Sequence, residues 1–293
     1  MNLESIQLTT DMVYRIVQYI QPWEIDDLDR QADQLIRGSY YLEDTVIVDV
    51  TMNLEVVDWQ ESNLPQSYFV DKFKYIETKL KQYYQTNFDL DSTIQGCTDK
   101  RRQTAKKEQD FIIWLDSDLY FPHQLLPLLI TASHQIQDED YILSPEIIKY
   151  WDHSWDCITN PSFLDQPHNH RDFFDLFSVD KFVSEQEVYV RKNSQIKFGG
   201  GWFNLIKSTI FSKIELIDDL GAYAPDDTYL SYCGMKLGIP QYILAGTVVS
   251  EVGKRFLENK NYIKPLLRVK IQDKQKITDD QLHILISEFY AKH

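Results

Sequence analysis

Five consecutive apolar residues, Phe111-Ile112-Ile113-Trp114-Leu115, run without interruption into Asp116-Ser117-Asp118. A run this short and this apolar reads as a strand buried on both faces, which restricts the chain to folds that cover a sheet on each side. Two carboxylates one residue apart, on the turn leaving such a strand, repel each other unless a cation or a proton lies between them. Oxygen donors of this kind suit Mg²⁺ or Mn²⁺, which complete their shells with water and substrate phosphates. Asp and Ser are also common in plain solvated turns. The hydrophobicity of the preceding strand favours the functional reading.

The rest of the chain alternates between strand and helix patterns. Residues 11–37 read as a helix, with Met12, Val13, Ile16, Val17 and Ile20 at helical spacing and Gly38 as a stop. Thr45-Val46-Ile47-Val48-Asp49-Val50 reads as a strand and 69–85 as an amphipathic helix. A helix is expected from Pro122 to His134, then an irregular stretch over 145–180. Further along come a strand at 187–190, a glycine run at 199–201 and a helix near 206–213. A helix opening at Asp226 or Asp227 closes by Gly238, a strand covers 240–250, and a terminal helix covers 278–291. This alternation predicts an α/β protein with a mostly parallel central sheet flanked by helices, plus extra N- and C-terminal helices. Ligands in such sheets bind beyond the carboxyl ends of the strands, where Asp116 and Asp118 fall.

At 293 residues the chain suits one large domain with an appendage, divided as 1–250 and a helical segment at 251–293. The net charge of −15 makes nucleic acid an unfavourable partner. An acidic protein that holds an anionic ligand needs a metal ion or local basic side chains. Cys97, Cys157 and Cys233 form no CxxC and imply no disulfide framework, which fits a reducing compartment. The N-terminus lacks the basic start and apolar run of a signal peptide, and no stretch reaches transmembrane length. The expectation is a soluble cytoplasmic protein.

A second acidic pair opens the helix at Pro225-Asp226-Asp227-Thr228. Aspartate there caps free backbone N–H groups and is favoured by the helix dipole. One of the two suffices for that, which leaves the other for chemistry.

The segment 98–122, TDKRRQTAKKEQDFIIWLDSDLYFP, resembles the core of GT-A glycosyltransferases, in which a helix bearing a basic residue leads into a strand that ends in DxD. The resemblance covers roughly 45–250 and implies a metal-dependent transfer of sugar from a nucleotide-diphosphate sugar to a hydroxyl acceptor. It implies that Asp118 is a direct metal ligand and that Asp116 lies toward the ribose and metal. It also places Arg101 or Arg102 near the donor; a solvated helix face shared with Lys106 and Lys107 is the alternative for both. The Asp226-Asp227 pair is similar to the acidic pair that supplies the base in inverting family-2 enzymes, which leaves the base to be either Asp226 or Asp227, with Asp227 favoured by its alignment to Leu230. Asp-Asp stands here where that family usually has Glu-Asp, and Tyr232-Cys233 where it often has Arg.

By the same resemblance Gly200, Gly201 and Trp202 form an acceptor-side segment, the glycines by close backbone approach and Trp202 by stacking on a sugar ring. The family binds its base after the first strand, which on this reading is 45–50, so Asp49 or Thr51 would touch base or ribose. The loop carrying Trp151, Asp152, His153, Trp155, His168 and His170 would face the acceptor. The rival readings are a haloacid-dehalogenase-type phosphatase, which also ends a strand in DxD, and a non-catalytic carbohydrate-binding module.

Overall fold

The computed structural model describes residues 12–55, 59, 64–148, 183, 188–192, 203–251 and 277–293. In chain order these form β1 (Val13–Ile20), α1 (Ile25–Ser39), β2 (Thr45–Met52), α2 (Gln66–Leu80), β3 (Gln85–Asp89), α3 (Cys97–Ala105) and β4 (Phe111–Leu115). Then follow β5 (Leu119–Tyr120), α4 (Leu125–Ser133), β6 (Ile142–Ile148), β7 (Tyr189–Lys192), β8 (Phe203–Lys207), α5 (Asp226–Lys236), β9 (Gln241–Glu251) and α6 (Asp279–Lys292).

One nine-stranded sheet organises these elements, in the order β3-β2-β1-β4-β8-β6-β9-β5, with β7 paired to β9. From β3 to β4 every pairing is parallel, as the sequence implies. Beyond β4 the sheet is mixed: β8 is antiparallel to both β4 and β6, while β6 and β9 run parallel. All five β4 residues are at most 1% exposed, since the strand sits between β1 and β8 with helices over both faces. Full burial of each such side chain contributes roughly 1.5–3 kcal/mol.

Alternation along β4 divides the core in two. Phe111, Ile113 and Leu115 join the cluster with residues of α1, α2 and α4, whereas Ile112 and Trp114 join the one with α5 and α6. The terminal helix packs Leu282, Ile286 and Phe289 into the cluster that holds Tyr229, Leu230 and Cys233 of α5.

Two expectations are corrected. Val13–Ile20 is an inner strand of the sheet and no part of an N-terminal helical extension; the helix begins only at Ile25. Its eight residues pair with β2 in full register and with β4 through Tyr14–Val17. A strand covered on both faces carries apolar residues on both, which erases the period-two signal and lets helical spacing arise by coincidence. Near 206–213 the chain instead forms the end of β8 and a short 3₁₀ segment, Ser208–Ser212. No helix among the described residues is long and apolar enough to cross a membrane.

Candidate functional site

The carboxyl end of β4 delivers Asp116 and Asp118 into a tight turn before β5. Helix α1 grips this turn from below. Gln31 Nε2 donates to the carbonyl oxygens of Asp116 (2.9 Å), Ser117 (3.0 Å) and Leu119 (3.1 Å). Arg30 of the same helix stacks its guanidinium 3.7 Å from the centroid of Tyr120. Neither residue is marked in the sequence, because each is an ordinary polar helix residue until the turn packs against it.

Arg101 joins the two acidic pairs. Its guanidinium donates to Asp116 Oδ1 at 2.7 Å and to Asp226 Oδ1 at 2.8 Å, residues 15 and 125 positions away along the chain. It also lies 4.5 Å from the Trp114 ring centroid, a cation–π arrangement. Asp226 is 1% exposed, and its Oδ1 further accepts the backbone N–H of Asp227 at 3.0 Å, while Oδ2 has no hydrogen-bond partner among the described residues. Burial pushes the Asp226 carboxyl up, Arg101 opposes the rise and Asp227 adds to it. Asp116 is pushed up to about 7, first by burial, against the opposing pull of Arg101, with Asp118, Asp226 and Asp227 contributing in the same direction as burial. Its side chain nevertheless keeps 31% exposure, so it borders solvent. Among the described residues, this crowd of carboxylates has one arginine in contact with it and is short of positive charge.

Arg101 and Arg102, adjacent in sequence, have different tasks. Arg102 Nε donates to the Leu216 carbonyl at 2.7 Å, and its NH2 group donates to Ile217 and Gly221 at 2.9 Å. It thereby fixes the loop that leads to Asp226 and stands away from the acidic pairs. Thr98 adds to this stitching: its N–H donates to Ala222 O at 3.0 Å and its hydroxyl accepts from Ala224 N at 2.9 Å. Gly96 lets the loop approach closely, since a Cβ there would lie 2.7 Å from the Tyr223 ring. Tyr223 in turn packs edge-on against Tyr19 and accepts from the Gln21 side chain just after β1. Helix α3 thus positions both acidic pairs from one side.

Asp49 and Thr51 lie elsewhere than the sequence reading supposed. They belong to the second strand, because β1 precedes it, and Asp49 lies mid-strand rather than at the carboxyl end. Asp49 is fully buried, and Arg15, Lys100, Lys107 and Asn87 occupy its two oxygens. The Lys100 and Lys107 ammonium groups hold its carboxyl below the usual range against the opposing effect of burial. This carboxylate anchors α3 to the sheet. Thr51 is 1% exposed and paired in register with Tyr19 and Asp89. Gly200, Gly201 and Trp202 lie outside the described residues, as do Trp151, Asp152, His153, Trp155, His168 and His170.

Helix α5 begins at Asp226 and ends before Gly238, whose φ of 71° suits glycine at a helix C-terminus. Asp227 lines a small cavity of about 20 Å³ together with Trp114, Asn204, Ser144, Ser231 and Tyr242, room for about one water molecule. Trp114 Nε1 is a buried donor that has no hydrogen-bond partner among the described residues.

The oxygen-only donors Asp116 and Asp118 match a hard divalent cation by chemistry, and the unpartnered Asp226 oxygen records the same shortage of positive charge. Among the described residues, no group of three or more His, Cys, Asp and Glu converges to hold a metal. Two carboxylates from the protein, with phosphate oxygens and water completing the shell, is an ordinary arrangement for Mg²⁺.

No protein-family model matches the sequence, and no curated protein matches it. Solved structures align with its fold. GalNAc-T7, crystallised with UDP, GalNAc and Mn²⁺, aligns with a TM-score of 0.50 and 12% identity, over 82% of this chain and 44% of that one. S. aureus TarS 1–349 in complex with UDP aligns with a TM-score of 0.49 and 10% identity, over 96% of this chain and 64% of that one. The chain therefore spans less than two thirds of the length of either. The likeness to GalNAc-T7 gives the fold: this is the α/β GT-A architecture of glycosyltransferases, a central sheet flanked by helices.

Proposed function

We propose that the chain is a glycosyltransferase that moves a sugar from a nucleoside-diphosphate sugar to a hydroxyl acceptor, with inversion. The observation that carries this reading is the Arg101 bridge, which joins the DxD turn and the Asp226-Asp227 pair at the carboxyl end of β4. A fold shared with a protein crystallised with UDP and Mn²⁺ agrees with it. That fold offers no support to the phosphatase alternative, and the presence of both acidic pairs in one place weighs against a non-catalytic module.

In this reading Asp118 and Asp116 hold Mn²⁺ or Mg²⁺. The bound cation supplies charge neutralisation for the departing nucleoside diphosphate. Arg101 keeps Asp116 in place and balances the buried Asp226, whose Oδ1 also accepts the Asp227 N–H at the start of α5. Asp226 is thereby committed to structure. Asp227, half-buried on the cavity beside Trp114, is the base that takes the acceptor proton as the new bond forms. Gly200, Gly201 and Trp202 remain proposed acceptor contacts through family resemblance, and the acceptor itself is a glycan, a lipid-linked or a protein-linked hydroxyl. Donor contacts from Asp49 are not part of this proposal, because its oxygens are already engaged.

A thermal-shift panel of nucleotide sugars, beginning with UDP-sugars and run with Mn²⁺ and with EDTA, tests the reading. A ligand present at 100 times its dissociation constant stabilises the folded chain by about 2.7 kcal/mol. A cation-dependent rise with one or a few donors is the expected result. A panel in which no nucleotide sugar raises the melting temperature with Mn²⁺ contradicts the proposal.

A further inference from the structure

We infer that Gln31 is a positioning residue for cation binding, acting through the backbone of the Asp116–Asp118 turn; the inference rests on the transferase reading above. Gln31 is 1% exposed on α1 and holds three carbonyl oxygens of one turn with a single amide nitrogen. Those oxygens belong to residues 116, 117 and 119, so the backbone is pinned on both sides of Asp118. Its own Oε1 accepts from Gln18 Nε2 of β1 at 2.7 Å. That bond fixes the orientation of the amide. Reversed, Gln31 would set an oxygen against three carbonyl oxygens and an N–H against the Gln18 donor. The arrangement is a relay from an inner strand, through a buried amide, to the turn that carries both carboxylates.

An amide so deeply buried is costly unless bonded, and apolar residues fill the neighbouring positions Leu28, Ala32 and Leu35 on the same helix face. Gln31 spends its donors on a turn where carboxylates repel each other. Without the pin, the turn relaxes by moving the two carboxylates apart, and a cation must draw them together again at the expense of affinity. A purely structural Gln31 would lower stability and leave affinity alone.

The experiment measures binding of Mn²⁺ alone, read from the paramagnetic resonance of the free ion, well below the melting temperature of each variant. Gln31→Leu is expected to weaken Mn²⁺ binding about tenfold or more, the range seen when groups behind metal ligands are removed. Gln18→Leu, which loses only the orienting donor, is expected to weaken it less. Tyr84→Phe is the control: it removes a buried bond to Leu35 O on the same helix without touching the turn. It is expected to melt lower with unchanged affinity. Wild-type affinity in folded Gln31→Leu, with a lowered melting temperature, reduces Gln31 to a structural role and overturns the inference while the transferase reading stands. Should Gln31→Leu not fold, unchanged affinity in Gln18→Leu overturns it equally. If the wild-type protein binds no Mn²⁺ either alone or with UDP present, the cation site of the transferase reading fails and this inference fails with it.

Discussion

Replacing Arg101 by methionine keeps an unbranched side chain over Trp114 and removes the charge shared by Asp116 and Asp226. Asp226, 1% exposed, is left as a buried carboxylate whose Oδ1 keeps only the Asp227 N–H. Breaking a buried ion pair by deleting one partner costs about 3–5 kcal/mol. Asp116 borders solvent at 31% side-chain exposure and recovers part of its hydration, so the lower end applies, about 3 kcal/mol. For a chain of 293 residues that lowers the melting temperature by roughly 5 °C. The deficit also depends on pH. Both carboxyls already lie above their ordinary values in the native protein, Asp116 at about 7, and losing Arg101 raises them further. A carboxyl raised in the folded state binds its proton there before the unfolded chain does, so it favours the folded state at low pH and loses that advantage as pH rises through the folded value. The loss is therefore smaller at pH 5 than at pH 8, and Arg101→Met with Asp226→Asn recovers part of it. Scanning calorimetry at the two pH values reads all three effects. A deficit under about 1 kcal/mol, or one equal at both pH values with no recovery in the double variant, refutes the bridge as the link between the acidic pairs.

Asp227→Asn is expected to lower kcat by about 10²–10⁴-fold with melting temperature and donor binding preserved, measured by steady-state transfer assay alongside calorimetry. Activity close to wild type removes the base assignment. Gly96→Ala places a methyl group 2.7 Å from the Tyr223 ring and against the Ala222 carbonyl, so the loop ahead of α5 must shift. The expected penalty is about 1–3 kcal/mol in thermal unfolding, with a fall in kcat larger than in donor affinity.

The parts of the fold that local pattern determines were legible in the sequence. Phe111–Leu115 is apolar because both faces of β4 are covered, and nothing but a strand of that length fits between its neighbours. The helix after Pro225 announces itself by acidic residues at its start and Gly238 at its end. Val13–Ile20 carries helical spacing because its burial pattern has little alternation, and its Val, Ile and Tyr content is the better guide to its state. The order of strands beyond β4 depends on pairings that no local window contains. The same holds at the site. Which of Arg101 and Arg102 faces the acidic pairs depends on how α3 rotates against the sheet, and Asp49, which buries its carboxylate against Lys100, helps to set that rotation. Gln31 meets its turn 85 to 88 positions away, a contact invisible to spacing or composition.

Calorimetric titration of UDP into the wild-type protein and Asp118→Asn, each with Mn²⁺ and with EDTA, addresses the cation at the DxD turn most directly. The expected result is binding by wild type with Mn²⁺ that weakens at least about tenfold in EDTA, and an Asp118→Asn protein that shows the weaker value under both conditions. Equal affinity in Mn²⁺ and EDTA for the wild type, or an Asp118→Asn protein that responds to Mn²⁺ as the wild type does, contradicts the cation-assisted site.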